Sequence, residues 1–480
     1  MDILLISSYT MKYVTREDRS PPLSLLCLAA VLRQAGHQVH LMDLVVLVTP
    51  EGVNQETYYL EKIRQAVRDI SPGMVGINCL LSSHFPFVRR AAAGIKEEVP
   101  DMPVVIGGIH PTLFSREILA NCPQIDAIVL GEGENQAVAV AEAFSRKDSP
   151  NDLSHIEALA YRDNGGRVVL NQRTGYIQDL DRLPMPAWDL MDIEGYFVDH
   201  STWYNPRNLD IKMSVPIMTS RSCPYDCSFC SSRHLMGRGL RLRDPRRVVD
   251  EMQWLYERHD LNYFGFVDDN LTLNKKHILS ICNEIIKRGM VIEFESFNGY
   301  NLASLDAEIV SAMVEAGCVY VILPIEHGDD RMRNEIIGKR LPREKIYEVV
   351  ELYKAHNLLT RGVFIMGFPE DTAKTLDETL KLIHELQLDM TNVFNLIPFP
   401  GTKIFDQADR DGLFLQDIDM GRLWEGNWDL NAVQNQFYLK PYHMTITELQ
   451  NYRRRFDDLR FMSDRIKELQ RGRTATTTSI

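Results

Sequence analysis

Val215-Pro216-Ile217-Met218-Thr219-Ser220-Arg221-Ser222-Cys223-Pro224-Tyr225-Asp226-Cys227-Ser228-Phe229-Cys230 sets three cysteines on one loop directly after an apolar strand. Val215 to Thr219 reads as a short buried strand, and the spacing behind it is C-x3-C-x2-C. Three thiolates on one tight loop can each bind one iron of a cubane cluster, because soft thiolates are the ligands that iron-sulfur centres select. The fourth iron is then left open. A zinc site completed by His234 and a set of buried structural thiols are the two other readings. Structural zinc usually draws on two well-separated pairs, and no second C-x2-C lies downstream. Burial alone does not explain three thiols on one turn-rich loop.

Working outward, strand-like runs recur at Tyr263 to Val267, Val291 to Glu295, Tyr320 to Ile325, Val363 to Gly367 and Asn392 to Ile397, with helix-length segments between them. With Val215 to Thr219 they make six βα units, a partial (βα)6 TIM-type barrel over 211–411. Upstream, residues 1–145 alternate in the same way. Strands are expected at Ile3 to Ser8, Val39 to Leu41, Met74 to Asn78, Val104 to Gly107 and Ala127 to Leu130, and helices at Leu23 to Ala35, Phe87 to Glu98 and Asn135 to Phe144. This is a doubly wound, Rossmann-like parallel sheet. Ligands of such sheets bind beyond the carboxyl ends of the strands, which here carry Ser7-Ser8-Tyr9, Asn78 to Ser82, Gly107-Gly108-Ile109-His110 and Gly131-Glu132-Gly133-Glu134. Residues 146–210 lose the alternation and read as a linker, with Asn164-Gly165-Gly166 as a hairpin turn. Residues 412–480 read as a mainly helical segment ending in an unstructured tail.

Composition narrows the function. At 480 residues the chain exceeds one ordinary core, and 45% hydrophobic with 25% charged residues is a globular balance. A net charge of -13 gives no basic field for nucleic acid. No apolar run is long enough to span a membrane, and the N-terminus enters a strand directly, so a cytoplasmic protein is expected. Eight cysteines, three of them clustered, are too few for a disulfide scaffold.

The loop resembles the signature of the radical S-adenosylmethionine (SAM) superfamily, C-x3-C-x-aromatic-C, which Cys223, Cys227, Phe229 and Cys230 match position for position. The resemblance implies a 4Fe-4S cluster whose open iron is chelated by SAM. An electron from the cluster would cleave the sulfonium, and a 5′-deoxyadenosyl radical would abstract hydrogen. Phe229 would pack beside the adenine. Phe264-Gly265-Phe266-Val267-Asp268-Asp269-Asn270 is similar to the second-strand end of the family, which implies Asp268 or Asp269 as receiver of the SAM ammonium. Pro324-Ile325-Glu326-His327-Gly328 resembles a Gly-x-Glu-Ser-Gly segment with Glu326 at the matching acid, proline and histidine replacing the usual glycine and serine. Phe364 to Thr372 and Pro398 to Thr402 resemble two later strand ends. The third strand end, with Glu295 and Asn298, departs from relatives that carry arginine there.

Residues 1–145 resemble the cobalamin-binding domain fused ahead of many such enzymes. The likeness rests on Pro21-Pro22-Leu23, Gly107 to Thr112, and Gly131 to Glu134, in that order, which implies Gly107, Gly108, Gly131 and Gly133 at the ligand. No D-x-H-x-x-G segment is present, so cobalamin would lack a lower-axial histidine, with His110, His84 and His37 the nearby substitutes. The resemblance implies a methyltransferase acting on an unactivated carbon of a small molecule, using one SAM to methylate cobalamin and a second to form the radical. A reducing partner such as flavodoxin or ferredoxin would supply electrons. Oxidation, ring formation or rearrangement on the same architecture is the alternative, and a cobalamin or cluster sensor is the reading of another class. The segment around Trp424, Trp428 and Tyr442 is expected to cover the open side of the barrel, with an apolar lid as the alternative.

Overall fold

The computed structural model describes residues 1–8, 20–146, 152–198, 204–415, 419–426 and 436–459. The chain forms two compact units, one of Met1–Phe197 with His234–Gly237 and Asp419–Leu430, the other of the remaining residues. Trp428 and the C-terminal tail lie outside the described residues. No described helix is long and apolar enough to cross a membrane.

In the first unit the order is β1 (Asp2–Ser7), α1 (Leu23–Gln34), β2 (Gln38–Asp43), α2 (Gln55–Ile70), β3 (Met74–Asn78), α3 (Phe85–Glu98), β4 (Val104–Gly107), α4 (Ile109–Leu113), α5 (Ser115–Asn121), β5 (Ala127–Val129), α6 (Glu134–Ser145), β6 (Leu159–Arg162) and β7 (Val168–Leu170). Helix α1 forms because Leu25, Leu26, Ala29 and Leu32 repeat at helical spacing and all face the core. It ends at Ala35, and Gly36 at φ +88 turns the chain into β2 without the cost a Cβ would bring. The strands run β2-β1-β3-β4-β5-β6-β7. Strands β1 to β5 are parallel, in register through pairs such as Ile3 with Val39 and Met74. Ile3, Leu5, Ala29, Leu32, Val105 and Val140 pack into one cluster, each large side chain stabilising the fold by about 1.5–3 kcal/mol.

The expected linker is more ordered than its composition suggests. Strands β6 and β7 form a hairpin around Asn164-Gly165-Gly166 and extend the first sheet antiparallel to β5. Two short strands and a glycine turn carry too little periodicity to stand out from a loop. The sheet is therefore parallel with an antiparallel edge, and its unit reaches Phe197 rather than residue 145.

From residue 215 the order along the chain is β8 (Val215–Ile217), β9 (Ser220–Arg221), α7 (Ser232–Met236), β10 (Arg241–Leu242), α8 (Pro245–His259), β11 (Tyr263–Phe266), α9 (Lys275–Lys287), β12 (Glu293–Ser296), α10 (Ala307–Ala316), β13 (Cys318–Glu326), α11 (Arg343–Ala355), β14 (Leu359–Met366), α12 (Ala373–Leu386), β15 (Met390–Asn395), α13 (Lys403–Arg410) and α14 (Ile446–Asp458), all in the second unit except His234–Met236 of α7, which group with the first. Six parallel strands lie side by side in chain order, β15-β14-β13-β12-β11-β8. β8, β11 and β12 are buried on both faces, whereas the middles of β13 and β14 alternate. On β13 and β14, Val321, Leu323, Phe364 and Met366 are buried, while Tyr320, Ile322, Arg361, Val363 and Ile365 on the other face are only half-buried. One face meets the helices, and the other lines the concave side.

Candidate functional site

The cysteine loop leaves β9 and is fastened on both sides. Ser222 sits at φ +76, a conformation costly for a residue with a Cβ, which turns the chain sharply into Cys223. Cys230 N–H closes a turn on the Cys227 carbonyl at 3.1 Å. Ser228 donates to the Ile337 carbonyl at 2.9 Å and accepts from Ile404 N–H at 3.0 Å. Asp226 pairs with Arg233, Arg238 and Lys403 at 2.7, 3.0 and 2.7 Å, and Arg233 also donates to the Gly401 carbonyl at 2.9 Å. Three charge-assisted contacts on one carboxylate fix the middle of the loop. Phe229 and Cys227 pack against the apolar cluster of Met332, Ile337, Phe368 and Leu396.

No disulfide joins any of the eight cysteines, and Cys223, Cys227 and Cys230 are half-buried while Cys79, Cys122, Cys282 and Cys318 are buried apart from them. Burial pushes the Cys227 thiol up to about 12 and raises Cys223 and Cys230 as well. A metal bound to thiols in that state would displace their protons. Among the described residues no three His, Cys, Asp or Glu side chains converge on a point where one ion could sit. A cluster asks for less, since each thiolate binds its own iron, and the donor set fits it.

Carboxylates at the neighbouring strand ends differ in what they face. Asp268, expected to receive an ammonium, instead has both oxygens engaged by Thr219 and Ser220. Asp269 is the outward member. Burial pushes it above the ordinary aspartate value, opposed by hydrogen bonds from Ser232 and the Ser222 N–H. Asn270 is buried beside Cys223, and its Oδ1 has no partner. Glu326 stands at φ +70 and accepts from Lys339 Nζ at 2.7 Å. Burial works against the Lys339 charge, but Glu326, Cys227 and Cys223 outweigh it and hold the amine above its ordinary value. His327 and Asp371, both fully buried, meet at 3.1 Å. Asp329 N–H donates to His327 Nδ1, so Nε2 carries the proton given to Asp371. Asp371 also accepts from Gly367 and Phe368 N–H at 2.7 and 2.9 Å, tying the ends of β13 and β14 together. Glu295 and Asn298 turn to the chain, the first accepting from Tyr263 Oη at 3.0 Å and the second donating to the Val267 carbonyl at 2.9 Å.

Sequence reasoning missed Lys339, Asp226 and Asp371 as parts of the site. Asp226 lies inside the cysteine spacing, which was its one signal. Lys339 and Asp371 are brought in by loops more than 100 residues away from the cysteines in sequence.

In the first unit the strand ends carry two glycine loops. A Cβ on Gly108 (φ +118) would come within 2.3 Å of the Cys79 carbonyl, and one on Gly131 (φ +70) within 2.8 Å of Arg173. These two glycines serve close packing of the chain on itself. Gly107 and Gly133 have ordinary room, at 3.6 and 3.4 Å. Thr112 links the loops, donating to the Gly108 carbonyl at 2.7 Å and accepting from Gly131 N–H at 3.0 Å. Leu80 and Leu81 behind β3 are 49% and 44% exposed, an apolar pair at the ligand-binding edge that suits a flat ligand. His110 is fully buried between Ser82 Oγ and the Trp424 carbonyl, both at 3.0 Å, and burial lowers it to about 4. His84 Nδ1 contacts Ser8 Oγ at 2.8 Å, and His37 lies by the Met1 amino group at the opposite edge. Trp424 packs on Phe85 in this unit, which corrects the expectation that it covers the barrel. Tyr442 donates to Asp411 at 2.5 Å, and its N–H to the Pro369 carbonyl at 2.8 Å.

Comparison with known proteins matches residues 13–141 to the B12 binding domain and residues 217–383 to the radical SAM superfamily. The chain is 30% identical over 419 residues to an uncharacterized methyltransferase of Pyrococcus horikoshii, covering 86% of this chain and 84% of that one. It is 29% identical over 347 residues to the anaerobic magnesium-protoporphyrin IX monomethyl ester cyclase of Rubrivivax gelatinosus, covering 72% of this chain but 60% of the cyclase. The fold is shared with the radical SAM methyltransferase TsrM of Kitasatospora setae, solved with cobalamin and a [4Fe-4S] cluster, at a TM-score of 0.70 and 18% identity over 92% of this chain and 84% of that one.

Proposed function

Because the chain belongs to the radical SAM enzymes that carry an N-terminal B12-binding domain, we propose that it is a cobalamin-dependent methyltransferase acting on an unactivated carbon of a small molecule. The observation that carries this reading is the set of three free thiols on one clamped loop, with Asp269, Asn270 and the Glu326–Lys339 pair around it. Bound there, a 4Fe-4S cluster with one open iron supplies the electron that cleaves SAM to a 5′-deoxyadenosyl radical, and cobalamin in the first unit supplies the methyl carrier.

In this reading Cys223, Cys227 and Cys230 hold the cluster, and Asp226 keeps their loop in one conformation. Asp269 receives the SAM ammonium, and Asp268 positions the strand end beneath it. Phe229 flanks the adenine. Glu326 and Lys339 supply polar contacts at the next strand end. The strand-end loops at Gly107, Gly108, Gly131 and Gly133, with Leu80 and Leu81, would hold cobalamin, which would supply the methyl carrier there. Free thiols throughout suit a reducing cytoplasm, with a flavodoxin- or ferredoxin-type protein as electron donor.

The similarity to the cyclase supports a second reading, an oxidative cyclisation by the same radical. Anaerobically reconstituted, cobalamin-loaded protein given SAM and a one-electron reductant should release both S-adenosylhomocysteine and 5′-deoxyadenosine. Release of 5′-deoxyadenosine alone selects the cyclase-type reading. Neither product, with the cluster intact, would overturn both.

A further inference from the structure

Arg361 is the one basic residue on the six strands of the barrel. It lies on the half-buried, concave face of β14, two residues before Val363 and four before Ile365. Ile365 joins the apolar cluster that Cys227 and Phe229 also pack against, so this is the face beneath the cysteine loop. At the rise of a strand, Arg361 sits about 13 Å below that layer.

Among the described residues its charge has no ion-pair partner, although Glu295 lies near enough to feel it. Arg361 Nε donates to Asn392 Oδ1 at 2.7 Å, and Tyr320 is the other hydrogen-bonding neighbour. No carboxylate among the described residues lies within 4.0 Å of the guanidinium. Glu295, the acid of this layer, takes its hydrogen bond from Tyr263 instead, and burial raises it to about 7, so it is a weak counter-ion at neutral pH. A guanidinium half out of water without an ion pair is costly, and with five N–H donors Arg361 keeps capacity for a further acceptor beside Asn392 and Tyr320.

Above this layer the lining is apolar. Phe297 follows β12 and is 37% exposed. Its ring lies so close over Gly265 that a Cβ there would come within 2.1 Å of it, so β11 needs glycine to seat the ring. Gly265 shares its face with Tyr263, whose hydroxyl reaches Glu295, which puts Phe297 on the concave side as well. Ile322, Pro324 and Val363 complete the apolar wall.

We propose that Arg361, on the concave face of the barrel, holds a carboxylate at one end of the substrate, and that an apolar, flat body of that substrate lies against Phe297. The proposal deepens the function proposed above, since it places the reacting end of that substrate toward the cysteine loop. One guanidinium matches a monovalent carboxylate, whereas a phosphate dianion would call for a second cation that the strands do not offer.

Phenylbutyrate and its neutral isostere phenylbutyramide serve as probes, titrated calorimetrically into the full chain with its cluster reconstituted. Saturable binding of the acid, at least about tenfold tighter than the amide, is expected. In Arg361→Met the two should bind equally, Arg361→Lys should keep part of the preference, and Phe297→Ala should weaken both probes alike. Equal binding of acid and amide by the unaltered protein, no saturable binding of the acid, or an unchanged preference in Arg361→Met would each overturn the proposal. The first two outcomes need no substitution, so they hold even where a variant fails to fold. Measuring 5′-deoxyadenosine from SAM in the same samples separates failure of this site from failure of the radical SAM reading.

Discussion

Asp268 and Thr219, 49 residues apart in sequence, meet at the ends of adjacent parallel strands. The carboxylate accepts from the Thr219 backbone N–H at 3.0 Å and from its hydroxyl at 2.8 Å, and Ser220 Oγ adds a further bond. His277 Nε2 donates to the same threonine hydroxyl at 3.1 Å. The strand that launches the cysteine loop is thus fixed by a buried acid on the neighbouring strand end. Asp268→Ala leaves a buried N–H and two hydroxyls without an acceptor and should destabilise the second unit by about 3 kcal/mol, read as a lower urea midpoint. Asp269→Ala should leave that midpoint unchanged and weaken SAM binding with the cluster spectrum intact. If the two substitutions exchanged effects, the assignment of anchor and ligand would be reversed.

Changing Cys223, Cys227 and Cys230 together to alanine should abolish the 4Fe-4S cluster, as measured by iron and sulfide content after anaerobic reconstitution. The three thiols lie on one clamped loop, and the remaining five cysteines share no loop. A full cluster in the triple variant would place it elsewhere.

Glu295 gives the barrel a pH dependence of definite sign. Burial raises this carboxyl from an ordinary value near 4.5 to about 7, opposed by the Tyr263 hydrogen bond and by Arg361. Tyr300, Tyr320 and Cys318 also face it. The folded state therefore holds a proton that the unfolded chain has released between those values. Stability contributed by the neutral acid is present below about pH 4.5 and is lost as pH rises toward 7, at up to about 1.4 kcal/mol per pH unit. Urea midpoints measured from pH 5 to 8 should fall more steeply for the unaltered protein than for Glu295→Gln. Parallel curves would show that Glu295 is charged throughout.

Local pattern carries most of the fold. Met74–Asn78 and Val104–Gly107 are legible to the residue, because apolar runs bounded by glycine and polar turns have one reading as buried strands. The barrel strands are legible in order, but their ends shift by one to four residues, since backbone pairing with the neighbours extends β13 back to Cys318 and β14 back to Leu359. β6 and β7 are hidden because strands of four and three residues show almost no period. The cysteines of the site are legible from spacing. The roles of Asp268 and Lys339 are not, because a carboxylate that caps its neighbouring strand and one that faces a ligand look the same in sequence. Trp424 escapes placement from sequence, since nothing in a single aromatic residue says which of two units it returns to.

The last expectation concerns the metal's lower face in the first unit. A D-x-H-x-x-G histidine is missing, and the structure accounts for each substitute. His110 has Nδ1 on Ser82 Oγ and Nε2 on the Trp424 carbonyl, it is fully buried, and its ring lies 4.9 Å from Phe85 and 5.0 Å from Phe114. Freeing either nitrogen would leave a buried polar partner unsatisfied, at a cost of about 1–3 kcal/mol. His84 is engaged by Ser8, and His37 sits at the other edge of the sheet. Electron paramagnetic resonance of the cob(II)alamin-loaded full-length protein reads the axial atom directly, because a coordinated nitrogen splits the signal further. A spectrum without that splitting is expected, unchanged in His110→Ala apart from a lower yield of folded protein. A nitrogen-split spectrum that disappears in His110→Ala would make His110 the ligand and would require the Trp424 contact to open when cobalamin binds.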